Sequence, residues 1–237
     1  MNLDRLFAIG GFVLGIPGVV ALFFSADVSV GASAIVVAFL AIALSFAVTY
    51  YKNRPPYKFK KAEATLDIKA RDGSVATLTK IYKFVPNIRD QHTFIHRNIA
   101  ADGTVNNFQW ENGAIDPHWL RKVLHQYEVT IDFGYPPLRV GQTVDHKLQY
   151  DVLNSFPAQK EGWFFVVEYP FKHLHLTLKF PEDRPITSLE SSRTIGASVQ
   201  SLGLGLDAVK AAGNRQYIEL DIKKPKLGAQ YEIWWRW

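Results

Sequence analysis

"TLDIKARDGSVATLTKIYKFV", Thr65 to Val85, decides what fold most of this chain can adopt. In its first arm Leu66, Ile68 and Ala70 alternate with polar neighbours, the period of a half-buried strand. Asp72-Gly73 follows, the signature of a tight type I′ turn. The return arm alternates again and places Lys80 in one row with Leu78, Tyr82 and Phe84. The stretch predicts an antiparallel hairpin.

The same period continues toward the C-terminus. "TFIHRNIA" and "VNNFQW" flank a turn at "ADG", and "YEVTIDF" sets Tyr127, Val129, Ile131 and Phe133 on one face. "VDHKLQYDV" aligns Val144, His146, Leu148, Tyr150 and Val152, while "WFFVVEY" is apolar on both faces, as a central strand would be. "LHLTLKF", "YIELDIK" and the terminal "YEIWWRW" complete about ten strands, with at most a short helix at "DPHWLRKVL" behind an Asp116 N-cap. Strands at this spacing imply an all-β antiparallel barrel or sandwich over residues 63–237.

Upstream the pattern changes. "LFAIGGFVLGIPGVVALFF" (6–24) and "VSVGASAIVVAFLAIALSFAVTY" (28–50) carry no charge. As helices, each would reach roughly 30 Å, the thickness of a hydrocarbon core. Only Ser25, Ala26 and Asp27 separate them, so residues 1–51 are expected to form an antiparallel transmembrane hairpin. Gly11, Gly15 and Gly18 in the first run, and Gly31, Ala34, Ala38 and Ala41 in the second, are small residues that let helices approach closely in lipid. They fit packing within the hairpin or docking of further copies.

Charge sharpens the polarity. The chain holds 27 Lys and Arg against 22 Asp and Glu. Five of the cations, Lys52, Arg54, Lys58, Lys60 and Lys61, crowd into one decapeptide. That cluster predicts a basic juxtamembrane linker over residues 52–62, cytoplasmic by the positive-inside bias and able to touch anionic lipid. From residue 62 onward 21 cations face 20 acids, so the strand-rich part has no excess charge for a nucleic-acid polymer.

Catalytic patterns are missing. With no cysteine, disulfides and thiolate chemistry are excluded. "GLGLDA" (203–208) matches a dinucleotide fingerprint in letters but lacks a strand–helix context. His173 and His175 share a strand face with Thr177 and Lys179, which reads as a polar surface rather than a metal site. No metal, cofactor or enzymatic activity is expected. Polar residues within the apolar rows are the candidate ligand contacts: Tyr82, His96, Arg97 and His146, with Trp119, Arg121 and Lys122 nearby in sequence. Rings to stack on bases and cations for phosphates would suit a nucleotide. Satisfaction by neighbouring carboxylates, carbonyls or water is the alternative for each.

The order of parts, with stretches such as "LRVGQTVDHKLQYDVLNSF", "LHLTLKFPEDRP" and "PKLGAQYEIWWRW", resembles the two-transmembrane, β-strand-rich effectors of bacterial cyclic-oligonucleotide anti-phage systems, the CBASS type and its relatives. The resemblance implies a multi-pass protein of the bacterial inner membrane with both termini cytoplasmic. Its β-domain would sense a cyclic di- or trinucleotide made by a partner synthase and control homo-oligomeric assembly, membrane disruption and growth arrest. The alternative is a membrane-anchored β-sandwich adaptor that binds a protein partner.

Overall fold

The quoted hairpin forms. Strand β1 (Tyr57–Ile68) pairs antiparallel with β2 (Val75–Pro86), from Tyr57↔Pro86 to Ile68↔Ala76. Its turn is longer than the two residues expected, for Lys69 and Ala70 N–H both donate to the Val75 carbonyl and Gly73 N–H to that of Ala70. Gly73 alone in the turn takes a positive φ (+73°), whereas a type I′ turn needs two such residues in succession. A Cβ at Gly73 would lie 1.9 Å from the Phe156 carbonyl oxygen, so space as well as conformation requires glycine there.

The computed structural model describes residues 39–49, 55–88, 92–112, 114–123, 126–134 and 137–237. The chain divides into two compact units, Met1–Pro55 and Pro56–Trp237. In the first, residues 39–49 form helix α1, where Ser45 Oγ donates to the Ala41 carbonyl (2.8 Å). Three turns of helix reach about 16 Å, roughly half a hydrocarbon core. Among the described residues no helix is long and apolar enough to cross a membrane. The expected transmembrane hairpin and the multi-pass inner-membrane address are corrected accordingly. An uncharged run bounds the length of a helix from above and does not set it. Residues 6–24, the second run up to residue 38, and with them Gly11, Gly15, Gly18, Gly31, Ala34 and Ala38, lie outside the described residues, as do Lys52 and Arg54.

The rest of the cation cluster belongs to a strand. Lys58 and Lys60 are exposed positions alternating with buried Tyr57 and Phe59, and a bulge between Phe59 and Lys61 then turns Ala62, Ala64, Leu66 and Ile68 to the core. Lys60 donates to Thr143 Oγ1 (3.0 Å) and Lys61 pairs with Glu63 (2.5 Å). Pleating places these three lysines where the sequence suggested a lipid-facing linker.

The remaining strands are β3 (Thr93–Ala100), β4 (Thr104–Glu111), β5 (Ala114–Val123), β6 (Gln126–Asp132), β7 (Val144–Leu153), β8 (Lys160–Val166), β9 (His173–Lys179), β10 (Ser188–Ile195), β11 (Ser198–Ser201), β12 (Lys210–Ala212), β13 (Arg215–Lys223) and β14 (Gln230–Arg236). They build a seven-stranded sheet, β12-β13-β9-β1-β2-β7-β4, a four-stranded sheet, β11-β10-β14-β8, and a three-stranded sheet, β3-β6-β5. The expected all-antiparallel arrangement fails at one place, since β1 runs parallel to β9. Where a short helix was expected, residues 114–123 form β5, paired with β6 across a bulge between Ile115 and Leu120. A strand partner outweighs a weak local helical preference.

One face of the large sheet carries the core. Leu66 and Ile68, Leu78 and Phe84, Leu148 and Tyr150, and Leu174 to Leu178 at alternate positions are all buried. The smaller sheets cover that face side by side: Phe94, Ile99, Val129 and Ile131 from one, Phe165, Tyr231, Ile233 and Trp235 from the other. The unit is an open sandwich, its sheets ending in edge strands rather than closing as a barrel.

Candidate functional site

Two histidines hold the three-stranded sheet to the large one. His146 of β7 lies opposite Tyr82 of β2, and His96 reaches it from β3, with the two Nε2 atoms 2.9 Å apart. His146 Nδ1 faces the carbonyl oxygens of Glu111 (2.9 Å) and Asn112 (3.0 Å). Carbonyls only accept, so Nδ1 carries the proton and His146 Nε2 is the acceptor. His96 Nε2–H must then donate, which leaves His96 Nδ1 as a buried acceptor without a partner. Burial holds His96 well below the usual imidazole range, helped by the neighbouring His146 and Lys80, and holds His146 below it despite the two carbonyls. The pair is neutral, with its tautomers fixed by the backbone.

Next in the β2 row stands Lys80, only 5% exposed. Its ammonium has one long contact, to the Arg97 carbonyl (3.5 Å), and lies over the Phe165 ring at 5.9 Å. Burial pushes its pKa down, opposed in part by the Glu168 carboxylate. Glu168 Oε1 accepts from Asn98 Nδ2 (2.8 Å), while Glu168 Oε2 and the Tyr150 hydroxyl are buried without a partner among the described residues. Asn98 reaches Glu168 because β3 is bulged between His96 and Ile99, with Asn98 at φ +51°. A bulge re-aims one side chain out of the alternation.

These four groups converge on a cavity of about 190 Å³. Lys80 and Tyr150 form its floor, Asn98 and Asp102 one wall, and Gly162 to Val166 with Glu168 the other. It lies in the seam between β3 and β8, edge strands of two different sheets that do not pair with each other. At one end the seam is closed by Tyr169, whose hydroxyl donates to the Ile95 carbonyl (2.7 Å). Chemically, the cavity offers donors from Lys80 and Tyr150, acceptors from Glu168 and Tyr150, and apolar walls.

The sequence candidates separate into three groups. Tyr82, His96 and His146 come together, with the His96 ring 5.1 Å from that of Tyr82, and they form a structural strut beside the cavity. Arg97 points away, exposed and paired with Glu128 (3.6 Å), so only its carbonyl takes part. Trp119, Arg121 and Lys122 lie on β5, and their side chains are outside the described residues. Glu168 and Asn98 went unnoticed. A lone carboxylate ending the apolar run "WFFVVEY" was the available signal for Glu168, whereas nothing in the sequence marks a bulge at Asn98.

His175 sits on the opposite face of the large sheet, with Nδ1 on Asp221 (2.8 Å) and Nε2 on Thr177 Oγ1 (3.1 Å). Among the described residues no cluster of three or more His, Asp or Glu has the geometry to hold a metal ion.

No family model matches the chain, and no curated protein matches it. Solved structures similar in part include an M1 zinc metallopeptidase from Deinococcus radiodurans, at 9% identity and a TM-score of 0.46 over 76% of this chain. A candidate protease from Parabacteroides distasonis is similar at 11% identity and a TM-score of 0.41 over 77%. The chain spans about two-fifths of the length of those structures (42% and 40%). Likeness at this level carries no argument about activity.

Proposed function

We propose that the Pro56–Trp237 unit is a non-enzymatic sensing module that takes a small polar ligand, or one polar group of a larger ligand, into the seam between its two smaller sheets. One observation supports the reading above the others: Lys80, Asn98, Tyr150 and Glu168 converge on one open cavity, and Tyr150 and Glu168 each keep an unpartnered buried oxygen there. Buried polar groups are normally paired, so a cavity that collects unpaired ones calls for an occupant. In a defence system of the kind the sequence resembles, that binding event is the proposed input signal.

Size limits the occupant. A cavity of 190 Å³ falls below the roughly 300–1,000 Å³ of pockets for drug-sized molecules. A whole cyclic di- or trinucleotide does not fit inside it, and such a ligand would insert a single base edge or phosphate oxygen while the rest stayed outside. The test is a thermal-shift and calorimetric screen of the full chain against cyclic di- and trinucleotides, free amino acids and small amides. At a hundredfold excess over Kd, a ligand stabilises by about 2.7 kcal/mol, which is readily detected. At least one class should bind, with the effect lost in Lys80→Met and Tyr150→Phe. A folded chain that binds none of them, or binds one equally well with both substitutions, would end the proposal.

A further inference from the structure

Among the described residues six strands end the three sheets, and five are blunted. β12 has three residues and β11 four. β4 is broken by a bulge between Asn106 and Gln109, and β5 by one between Ile115 and Leu120. β3 is bulged and also capped: the carbonyls of Thr93, Ile95 and Arg97, at alternate positions on the edge turned away from β6, receive Tyr57 Oη, Tyr169 Oη and Lys80 Nζ. Short strands, bulges and covered carbonyls are the ordinary protections of sheet edges. Among the described residues β8 has none of them. It runs seven residues in unbroken register with β14. Val167 N–H donates to Ala229 and Gln159 O accepts from Trp237. By alternation the odd-numbered residues between them bond β14, and the backbones of Gly162, Phe164 and Val166 face outward. That outward edge forms a wall of the cavity.

The structure assigns this edge to strand addition: β8 pairs with an extended polypeptide segment of a partner that places one carboxamide side chain, Asn or Gln, in the cavity. The inference rests on the cavity being a binding site and names its ligand class. Charge chooses the side chain. An anion entering the cavity would meet Glu168 and a cation would meet Lys80, whereas a neutral carboxamide gives its NH₂ to Glu168 Oε2 and takes a hydrogen bond from Lys80 or Tyr150. Backbone pairing along Gly162–Val166 supplies affinity, and the pocket for an alternate side chain supplies specificity. β3 ends at Ala100 and Tyr169 closes the far end of the seam, so the added strand enters from the Gly162 side.

The probe is an acetylated and amidated heptapeptide, Thr-Val-Thr-Gln-Thr-Val-Thr, titrated into the full chain with amide-resolved hydrogen exchange as readout. Protection should rise at the amides of Gly162, Phe164 and Val166 and stay unchanged at Trp163 and Phe165. Replacing the peptide's Gln by Leu should weaken binding at least tenfold. Methylating the peptide amides that face β8 should abolish it. Phe164→Pro should also abolish it while preserving the thermal midpoint, since that N–H points away from β14. No binding of the heptapeptide, or binding that survives both amide methylation and Phe164→Pro, overturns strand addition. If the heptapeptide fails but a nucleotide, amino acid or small amide binds in a manner sensitive to Lys80→Met, strand addition falls and the cavity remains a site. If nothing binds, both readings fall.

Discussion

The layer between the sheets has two ends built on opposite terms. At one end Phe94 of β3 meets Tyr57, Phe59, Tyr82, Phe84 and Tyr169 with ring centroids 5.4 to 5.7 Å apart. Tyr57 and Tyr169 pass their hydroxyls to β3 carbonyls, so this end is dry and joined to its cover. At the other end Lys80, Tyr150 and Glu168 face a cavity with polar atoms left over. The same strands, β2 and β7, run through both ends. Ring packing and two hydrogen bonds hold the first, while the second gathers two unpartnered oxygens on one cavity, which costs stability. Two unpartnered oxygens that face one cavity call for an occupant, which is why the wet end is the candidate site.

The dry end is most vulnerable at Phe94. Phe94→Ala removes the ring at the centre of the dry end and should cost about 3–5 kcal/mol in urea unfolding. Truncation that costs less than about 1 kcal/mol would mean that the three-stranded sheet is not fastened there. The histidine strut comes next. His96→Ala strands the His146 acceptor and should cost about 1–3 kcal/mol. It also has a pH signature. In the folded chain both rings resist protonation, whereas unfolded imidazoles take up protons near pH 6.5. The unfolded state therefore binds more protons below that pH, and stability, level above it, is lost as pH falls toward the folded values. Each ring adds a slope of at most about 1.4 kcal/mol per pH unit. The difference between the native chain and the double variant His96→Phe, His146→Phe isolates this slope; equal slopes in both would show that the strut accepts protons freely.

Lys80→Met sharpens the other end. A lysine held in a complete interior ion pair would cost about 3–5 kcal/mol to truncate. Lys80 has one long hydrogen bond (3.5 Å) and a ring at 5.9 Å, so losing its desolvation cost offsets losing its attraction to Glu168. Stability should change by less than about 1 kcal/mol while ligand binding disappears. A loss of 3 kcal/mol or more would place Lys80 among the structural residues with His96.

Most of the sandwich was legible because alternation reports which side chains face inward, and the rows Leu78–Phe84 and Val144–Val152 are buried as their period implies. Even the polar members of those rows, Lys80, Tyr82 and His146, stood out as misfits. What stayed hidden depends on contacts distant in sequence. Register between sheets brings His96 to His146, a bulge turns Asn98 toward Glu168, and the parallel β1–β9 pairing joins segments more than a hundred residues apart. The basic cluster misled for a related reason: lysines on the outer face of a pleated strand and lysines beside a membrane look alike until the buried partners Tyr57 and Phe59 are known. The apolar N-terminal runs showed composition, and composition alone does not fix where a helix begins and ends.

The smallest expected effect is on the outer face, where a histidine makes contacts as short as those of the buried pair. His175 Nδ1 lies 2.8 Å from Asp221 Oδ1, which is itself largely exposed. Water can replace this partner at little cost, so His175→Ala should shift stability by no more than about 0.5 kcal/mol. Its trace should appear in titration instead. The hydrogen bond from His175 holds the Asp221 carboxyl below the usual carboxylate range, aided by the charges of His175, His173 and Lys61. Removing the imidazole should move the Asp221 titration, followed by carboxyl-carbon NMR, upward toward the ordinary value while unfolding stays put. An unfolding cost comparable to that of His96→Ala would instead mean that the outer face is covered in the folded protein, and the contrast between a buried inner layer and a solvated outer one would no longer hold.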